Sequence, residues 1–108
     1  MNPTAHHNSL PGPEDITRSA LPNGITVLAR SNFNSPSAVI SGYLQSGSVF
    51  DPPQRLGLAN FTSVSLMRGT QQRSFQQIFD ALESAGASLG FNASVHNTSL
   101  GGRCMVED

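Results

Sequence analysis

The chain has 108 residues, of which 37% are apolar and 12% charged, and its formal net charge is -1. This composition suits one small domain or part of a larger one, and it offers neither a basic stripe for nucleic acid nor a polybasic segment for a membrane surface. The sequence also lacks a membrane-spanning apolar run and a secretory signal pattern. We therefore expect a cytoplasmic protein with no nucleic-acid and no membrane partner.

The N-terminal part of the chain predicts a tail followed by a hairpin. Residues 1–15 hold three prolines and several polar residues without periodicity, which is typical of a flexible tail. Two short β-prone runs follow, at 16–21 and 25–30, and Asn23 and Gly24 lie between them. An Asn-Gly pair tolerates the positive φ of a tight turn, so these runs predict a β-hairpin.

A third strand and a first helix are predicted next. Residues 38–44 are apolar with little alternation, which predicts a strand buried on both faces. Residues 47–55 contain a glycine and two prolines and are interpreted as a connection. Residues 57–68 predict a helix that is closed by Gly69.

The second helix has a clearer start signal. Ser74 and Gln77 have the spacing of a capping box. The apolar residues that follow recur with helical spacing, at Phe75, Ile78, Phe79 and Leu82. Gly86 is the predicted C-terminal stop.

The last third of the chain alternates with period two and predicts two strands. The first spans 89–95, His96 and Asn97 form a turn, and the second spans 98–106. Cys104, the single cysteine, is expected to pack as a small buried hydrophobic residue. The order β-β-β-α-α-β-β predicts an α+β fold, in which helices cover one face of a mostly antiparallel sheet.

The predicted first helix carries a family motif. Residues 57–70 read GLANFTSVSLMRGT, and this segment resembles the signature helix of the insulinase/pitrilysin zinc peptidases, Gly-Leu-Ala-His-Phe-Leu-Glu-His followed by an apolar run and Lys/Arg-Gly-Thr. Further motifs agree in order and spacing: Leu21-Pro22-Asn23-Gly24, Gly47-Ser48 with Asp51, and Gly86-Ala87 before Asn92-Ala93. The resemblance covers the chain from about residue 16 onward.

The positions that carry the chemistry of the family are changed. In active members the two His of H-x-x-E-H hold zinc and the Glu acts as general base toward a zinc-bound water. Those positions are Asn60, Ser63 and Val64 here. Valine has no donor atom, and an asparagine carbonyl is a poor zinc ligand. A neutral serine hydroxyl cannot accept a proton in the way that a carboxylate can. The resemblance therefore implies no catalytic residue, no metal and no cofactor in this chain, with zinc expected only in an active partner.

Members of the family resemble two hinged halves that close around an unfolded peptide. In the paired mitochondrial and bacterial peptidases of the family, one chain keeps the zinc site while its partner lacks it and helps to enclose the substrate. The resemblance thus implies a non-catalytic subunit beside an active insulinase-type peptidase chain. Two alternatives stay open: a purely structural assembly subunit, and an active hydrolase with a non-standard site on Asn60, Ser63 or His96.

The resemblance also suggests a substrate site and an incomplete domain. Family substrates resemble an added strand along a sheet edge, which places peptide binding at Asn92, Ala93 and Ser94; the alternative is that these are ordinary strand residues. Residues 16–108 are expected to be the N-terminal part of a longer half-domain. An open edge or apolar face would then favour self-association of this chain.

Overall fold

The computed structural model describes residues 12–107, and the chain divides into two compact units with the boundary between Asn34 and Ser35. Most of the predicted tail, residues 1–11, lies outside the described residues. The remainder of that segment contains one 3₁₀ turn, Pro13–Asp15.

The first unit is a β-hairpin, as predicted. Strand β1 (Thr17–Ala20) pairs antiparallel with β2 (Thr26–Ala29). Gly24 has a φ of 89°, which glycine adopts without strain, and its N–H donates to the Leu21 carbonyl at 3.0 Å. The Asn23 side chain accepts from the N–H of Ile25 and completes the turn.

The second unit is an α+β layer. Its elements in chain order are β3 (Ser37–Leu44), α1 (Leu58–Ser65), α2 (Phe75–Ser84), β4 (Ser88–Ala93) and β5 (Thr98–Met105). The three strands form an antiparallel sheet in the order β3-β5-β4. The predicted element order and the α+β class are confirmed.

One face of this sheet carries most of its apolar side chains, whereas Val39 and Tyr43 lie on the other face. A Cβ placed on Gly102 would lie 3.1 Å from Ile40 Cγ2 and 3.4 Å from Leu89 Cδ1, so both side chains converge over that glycine. Phe91 and Leu100, on the same face by register, are half-buried, and α1 and α2 both contact β4. The helices therefore pack against this face at its β4 side.

The prediction that β3 is buried on both faces is wrong. Val39 and Tyr43 are 71% and 73% exposed, and Ile40 and Leu44 are 62% and 61% exposed. The reason is that β3 is an edge strand of this sheet, whereas the main helix contacts are with β4 at the opposite edge. Within residues 12–107 no apolar side chain is fully buried.

The first helix is shorter than its sequence predicts. It ends at Ser65 rather than at residue 68, and the chain continues as a turn in which Arg68 N–H donates to the Ser65 carbonyl. Two serines in this helix donate their hydroxyls to carbonyls of the preceding turn, Ser63 to Asn60 and Ser65 to Phe61. Such bonds compete with the backbone and weaken the helix end.

The second helix begins as predicted. Ser74 Oγ accepts from Gln77 N–H at 3.2 Å, and Gln77 Oε1 accepts from Ser74 N–H at 2.8 Å. This reciprocal pair is a capping box. The helix ends before Gly86, whose φ is 58°.

Candidate functional site

The motif helix α1 is positioned by a carboxylate outside it. Asp51 follows a 3₁₀ turn, Ser48–Phe50, and its two oxygens accept from the N–H groups of Gly57 and Ala59 at 2.9 and 3.0 Å. Gly57 has no capping side chain and a φ of 92°. Because a helix start exposes unpaired N–H groups and partial positive charge, Asp51 fixes where α1 begins.

A buried glycine fixes the turn that carries Asp51. Gly47 is buried, and a Cβ there would run into the backbone of Val95. Next to it, Ser48 N–H donates to the Ser94 carbonyl and Val49 N–H donates to the Val95 carbonyl, both at 2.9 Å. The end of β4 is thereby tied to the segment that starts α1.

Two of the three changed motif residues share a groove on α1. The groove is open, has a volume of about 520 Å³, and is lined by residues 55–58 together with Asn60, Phe61 and Val64. Asn60 and Val64 are one turn apart, so their side chains lie on the same face of the helix. The groove is therefore mostly apolar, with Arg55 and Asn60 as its polar side chains.

The third motif residue does not line this groove. Ser63 is only 2% exposed, and its hydroxyl donates to the Asn60 carbonyl at 2.8 Å. The sequence places Asn60, Ser63 and Val64 on one face of the helix, and the structure brings Asn60 and Val64 together while burying Ser63. A buried hydroxyl with its proton engaged lacks the adjacent base that nucleophilic catalysis needs.

The zinc site of the family does not fit these residues. Val64 supplies no donor atom, and the oxygen of Ser63 faces Asn60 within the helix. Within residues 12–107 no group of three His, Cys, Asp or Glu side chains is placed to hold a metal ion. We assign no metal chemistry to this site.

Within the second unit, as far as residues 35–107 are described, no strand pairs with the outer edge of β4. Ser94 N–H donates to the Asn97 carbonyl, directly across the β4–β5 ladder, so by alternation Leu89, Phe91 and Ala93 point their backbone groups away from β5. Among the residues expected to bind substrate, Ala93 alone presents its backbone to this edge. Asn92 bonds toward β5, where Ser99 Oγ also donates to its carbonyl.

Ser94 is largely engaged within the chain. Its hydroxyl donates to Asn97 and its carbonyl accepts from Ser48. His96 is exposed in the turn after β4, and Cys104 is half-buried in β5 rather than fully buried. No helix in the described part of the chain is long and apolar enough to cross a membrane.

Sequence reasoning missed the roles of Asp51 and Arg55. Asp51 lies outside the N-cap position of α1, where capping patterns place a side-chain acceptor, so only its conformation around Gly57 reveals it as a cap. Arg55 sits in a connection whose path the sequence does not specify. The exposure of Leu56 and Phe61, 80% and 71%, likewise becomes visible only once the helix is placed.

A helix with this motif on an antiparallel α+β layer defines a peptidase-like domain. Residues 26–101 match the family described as insulinase, peptidase family M16. The chain therefore belongs to this family.

The relatives are mostly subunits of mitochondrial complexes. Mitochondrial-processing peptidase subunit beta of Saccharomyces cerevisiae is 32% identical over 90 residues, 83% of this chain and 20% of that protein. The probable subunit beta of Arabidopsis thaliana is 26% identical over 95 residues, 88% of this chain and 18% of that protein. Human cytochrome b-c1 complex subunit 2 is 26% identical over 98 residues, 91% and 21% respectively. The chain spans about a fifth of the length of these relatives.

Proposed function

We propose that the chain is part of a non-catalytic subunit or domain of an insulinase-family peptidase, which helps to enclose and bind a peptide beside an active partner chain. This proposal is supported by the residues that occupy the three motif positions and by where their side chains lie. Asn60 and Val64 line a mostly apolar groove, and Ser63 is buried with its proton donated to a helix carbonyl. These residues hold neither zinc nor a general base.

Peptide binding does not need the lost side chains. Leu89, Phe91 and Ala93 offer outward N–H and C=O groups on the β4 edge, and an extended peptide can pair with such groups as an added strand. Beyond Ala93 the edge is no longer available for pairing, because the Val95 carbonyl already accepts a hydrogen bond from Val49 N–H. In this proposal the added strand lies along residues 89–93, with the exposed Asn92 side chain beside it.

The proposed partner is an insulinase-type chain with an intact H-x-x-E-H helix. The similarity to named subunits of mitochondrial-processing peptidase supports pairing, because those relatives are themselves subunits. The similarity to human cytochrome b-c1 complex subunit 2 favours a second candidate, a structural assembly subunit of the same fold. A hydrolase with a nucleophile at Ser63 is disfavoured by the burial of that residue.

Two matched proline variants test the binding role. Ala93→Pro removes an outward N–H from β4. Ser41→Pro removes an N–H that points away from β5 on β3, because Val106 N–H donates to the Pro36 carbonyl and the bonding direction alternates along the strand. With a fluorescently labelled unstructured peptide, Ala93→Pro is expected to weaken binding by about tenfold, and Ser41→Pro to leave binding unchanged. Circular dichroism checks that both variants fold.

Equal peptide binding by wild type and a folded Ala93→Pro variant would overturn the role of the β4 edge. The paired-subunit role has a separate test, co-purification with a tagged H-x-x-E-H homologue from the same cells. Co-purification without peptide binding would favour the structural assembly subunit. Failure to co-purify would overturn the pairing.

The cytoplasmic location expected from the sequence remains part of the proposal. The yeast and Arabidopsis relatives are mitochondrial by name, so an organelle is the competing location. Fractionation of cells that express the tagged protein distinguishes a cytoplasmic from an organellar location. Recovery with an organelle would contradict the cytoplasmic assignment.

A further inference from the structure

The turn of the first hairpin contains the one Asn-Gly pair of the 108-residue sequence, Asn23-Gly24. The side-chain amide of an asparagine can be attacked by the backbone nitrogen of the next residue, which is one reason that asparagine is a thermolabile residue. Glycine at the next position leaves that nitrogen unhindered, because glycine has no side chain. The sequence therefore makes Asn23 the asparagine of this chain that is most prone to deamidation.

The folded turn holds both of the groups that would react. Gly24 N–H donates to the Leu21 carbonyl at 3.0 Å, so the nitrogen keeps its proton in a hydrogen bond. Asn23 Oδ1 accepts from Ile25 N–H at 3.2 Å, which holds the side-chain amide toward residue 25. Attack requires the Gly24 nitrogen to lose its proton and the Asn23 side chain to rotate. These hydrogen bonds must therefore break before the reaction starts.

The protection is local to the turn. Leu21 N–H also donates to the Ile25 carbonyl at 2.8 Å, so all three hydrogen bonds join residues 21–25 to one another within the first unit. They do not depend on what packs against the outside of the hairpin. A two-stranded hairpin is marginally stable by itself and forms in about 1–10 μs. Deamidation is far slower, so its rate follows the fraction of molecules in which the hairpin is open.

We propose that Asn23 is a deamidation site that reacts only when the hairpin opens. In the open chain the Gly24 nitrogen gives its proton to solvent and attacks Cγ of Asn23. The bond from Cγ to the side-chain nitrogen breaks, ammonia leaves, and a succinimide ring joins residues 23 and 24. Water then opens this ring at either carbonyl and leaves an aspartyl or an isoaspartyl residue at position 23. No group is oxidised or reduced, and water is the only co-reactant.

The two products are expected to affect the hairpin differently. An aspartyl residue keeps a side-chain oxygen that can accept from Ile25 N–H, and Asp-Gly is itself a favoured hairpin turn. An isoaspartyl residue adds one carbon to the backbone, so the pairing of Leu21 with Ile25 loses its register. Either product adds one negative charge to a chain whose formal net charge is -1. The site lies in the first unit, so it is independent of the peptide-binding role proposed for the second.

Peptide mass spectrometry of the whole protein, after incubation at mildly alkaline pH with and without urea, tests the site. Residue 23 is expected to gain the mass difference between an amide and an acid at least about fivefold faster in urea than in buffer. In urea Gly24→Ala is expected to slow the reaction, because a side chain then hinders the nitrogen. No modification of residue 23 in urea would overturn the site. Equal rates with and without urea would overturn its protection by the hairpin.

Two matched glycine variants separate hairpin opening from the chemistry. Val27→Gly weakens β2 opposite Ser19 and keeps the Asn-Gly sequence, so in buffer it is expected to deamidate about fivefold faster than wild type. Val39→Gly makes the same change in β3 of the second unit and is expected to keep the wild-type rate. In urea all three proteins are expected to react equally. A wild-type rate for Val27→Gly in buffer, or equal acceleration by Val39→Gly, would overturn control by the hairpin.

Discussion

The carboxylate of Asp51 accepts a hydrogen bond from the backbone N–H of Gly57, 2.9 Å away, at the point where α1 begins. Its second oxygen accepts from Ala59 at 3.0 Å. The helix that carries the changed motif thus depends on a side chain from the preceding loop, because Gly57 has none to offer. The same loop is bonded to the end of β4, so one segment holds both the groove and the open edge in place.

Removing the Asp51 carboxylate is expected to destabilise α1. Asp51→Ala should lower the free energy of unfolding by about 1–2 kcal/mol, since it leaves two helix N–H groups without an acceptor and removes negative charge from the helix start. Asp51→Asn keeps one side-chain acceptor and should lose less. Urea unfolding followed by circular dichroism measures both, and equal midpoints for Asp51→Ala and wild type would contradict this role.

A methyl group at Gly47 is expected to disrupt the same segment. Gly47→Ala places a Cβ against the Val95 backbone, which cannot yield without breaking its contacts with residues 48 and 49. We expect a loss of about 1–3 kcal/mol. Gly101→Ala is the matched control, since a Cβ there meets no atom within 4 Å, and its stability should be unchanged or higher. Equal free energies of unfolding for the two variants would show that the close approach of Gly47 to Val95 does not contribute to stability.

The elements that local sequence patterns specify are the ones predicted correctly. The hairpin turn at Asn23 and Gly24 and the capping box of Ser74 and Gln77 depend on residues that are neighbours in sequence. The prediction that failed, the burial of β3, depends on which other elements pack against that strand. The apolar β3 predicts burial, but burial requires a covering element, and the described residues place none over Val39 or Tyr43.

The candidate site was predictable in part for the same reason. The motif gives the positions of Asn60, Ser63 and Val64, and helical spacing correctly pairs Asn60 with Val64. The inward orientation of Ser63 depends on how α1 packs against β4, which a helical repeat alone does not specify. The resemblance predicts that β4 is an edge strand, whereas its outward residues follow only from the observed hydrogen-bond register.

The capping box of α2 is expected to act as a coupled pair. Ser74→Ala should cost about 1 kcal/mol, because Gln77 N–H loses its acceptor. Gln77→Ala should cost less, since Ser74 N–H is exposed and can bond to water. A double-mutant cycle should give a coupling energy of at least about 0.5 kcal/mol. Strictly additive losses would show that the two bonds form independently.

Two histidines introduced in the groove are expected to create a metal site. Asn60→His with Val64→His places two imidazoles one turn apart on the face that lines the groove. Zinc affinity measured by calorimetry should exceed that of either single variant by about tenfold or more. Equal affinities for the double and single variants would mean that positions 60 and 64 do not converge as the structure places them.

The proposed role is peptide binding without metal chemistry in this chain. The zinc content of the purified protein, alone and after co-expression with an H-x-x-E-H homologue, tests this role most directly when it is measured together with cleavage of an unstructured peptide. We predict no stoichiometric zinc and no turnover for the lone protein, and both for the mixture. Stoichiometric zinc with turnover in the lone protein would contradict the assignment of Asn60, Ser63 and Val64 as the changed metal and base positions.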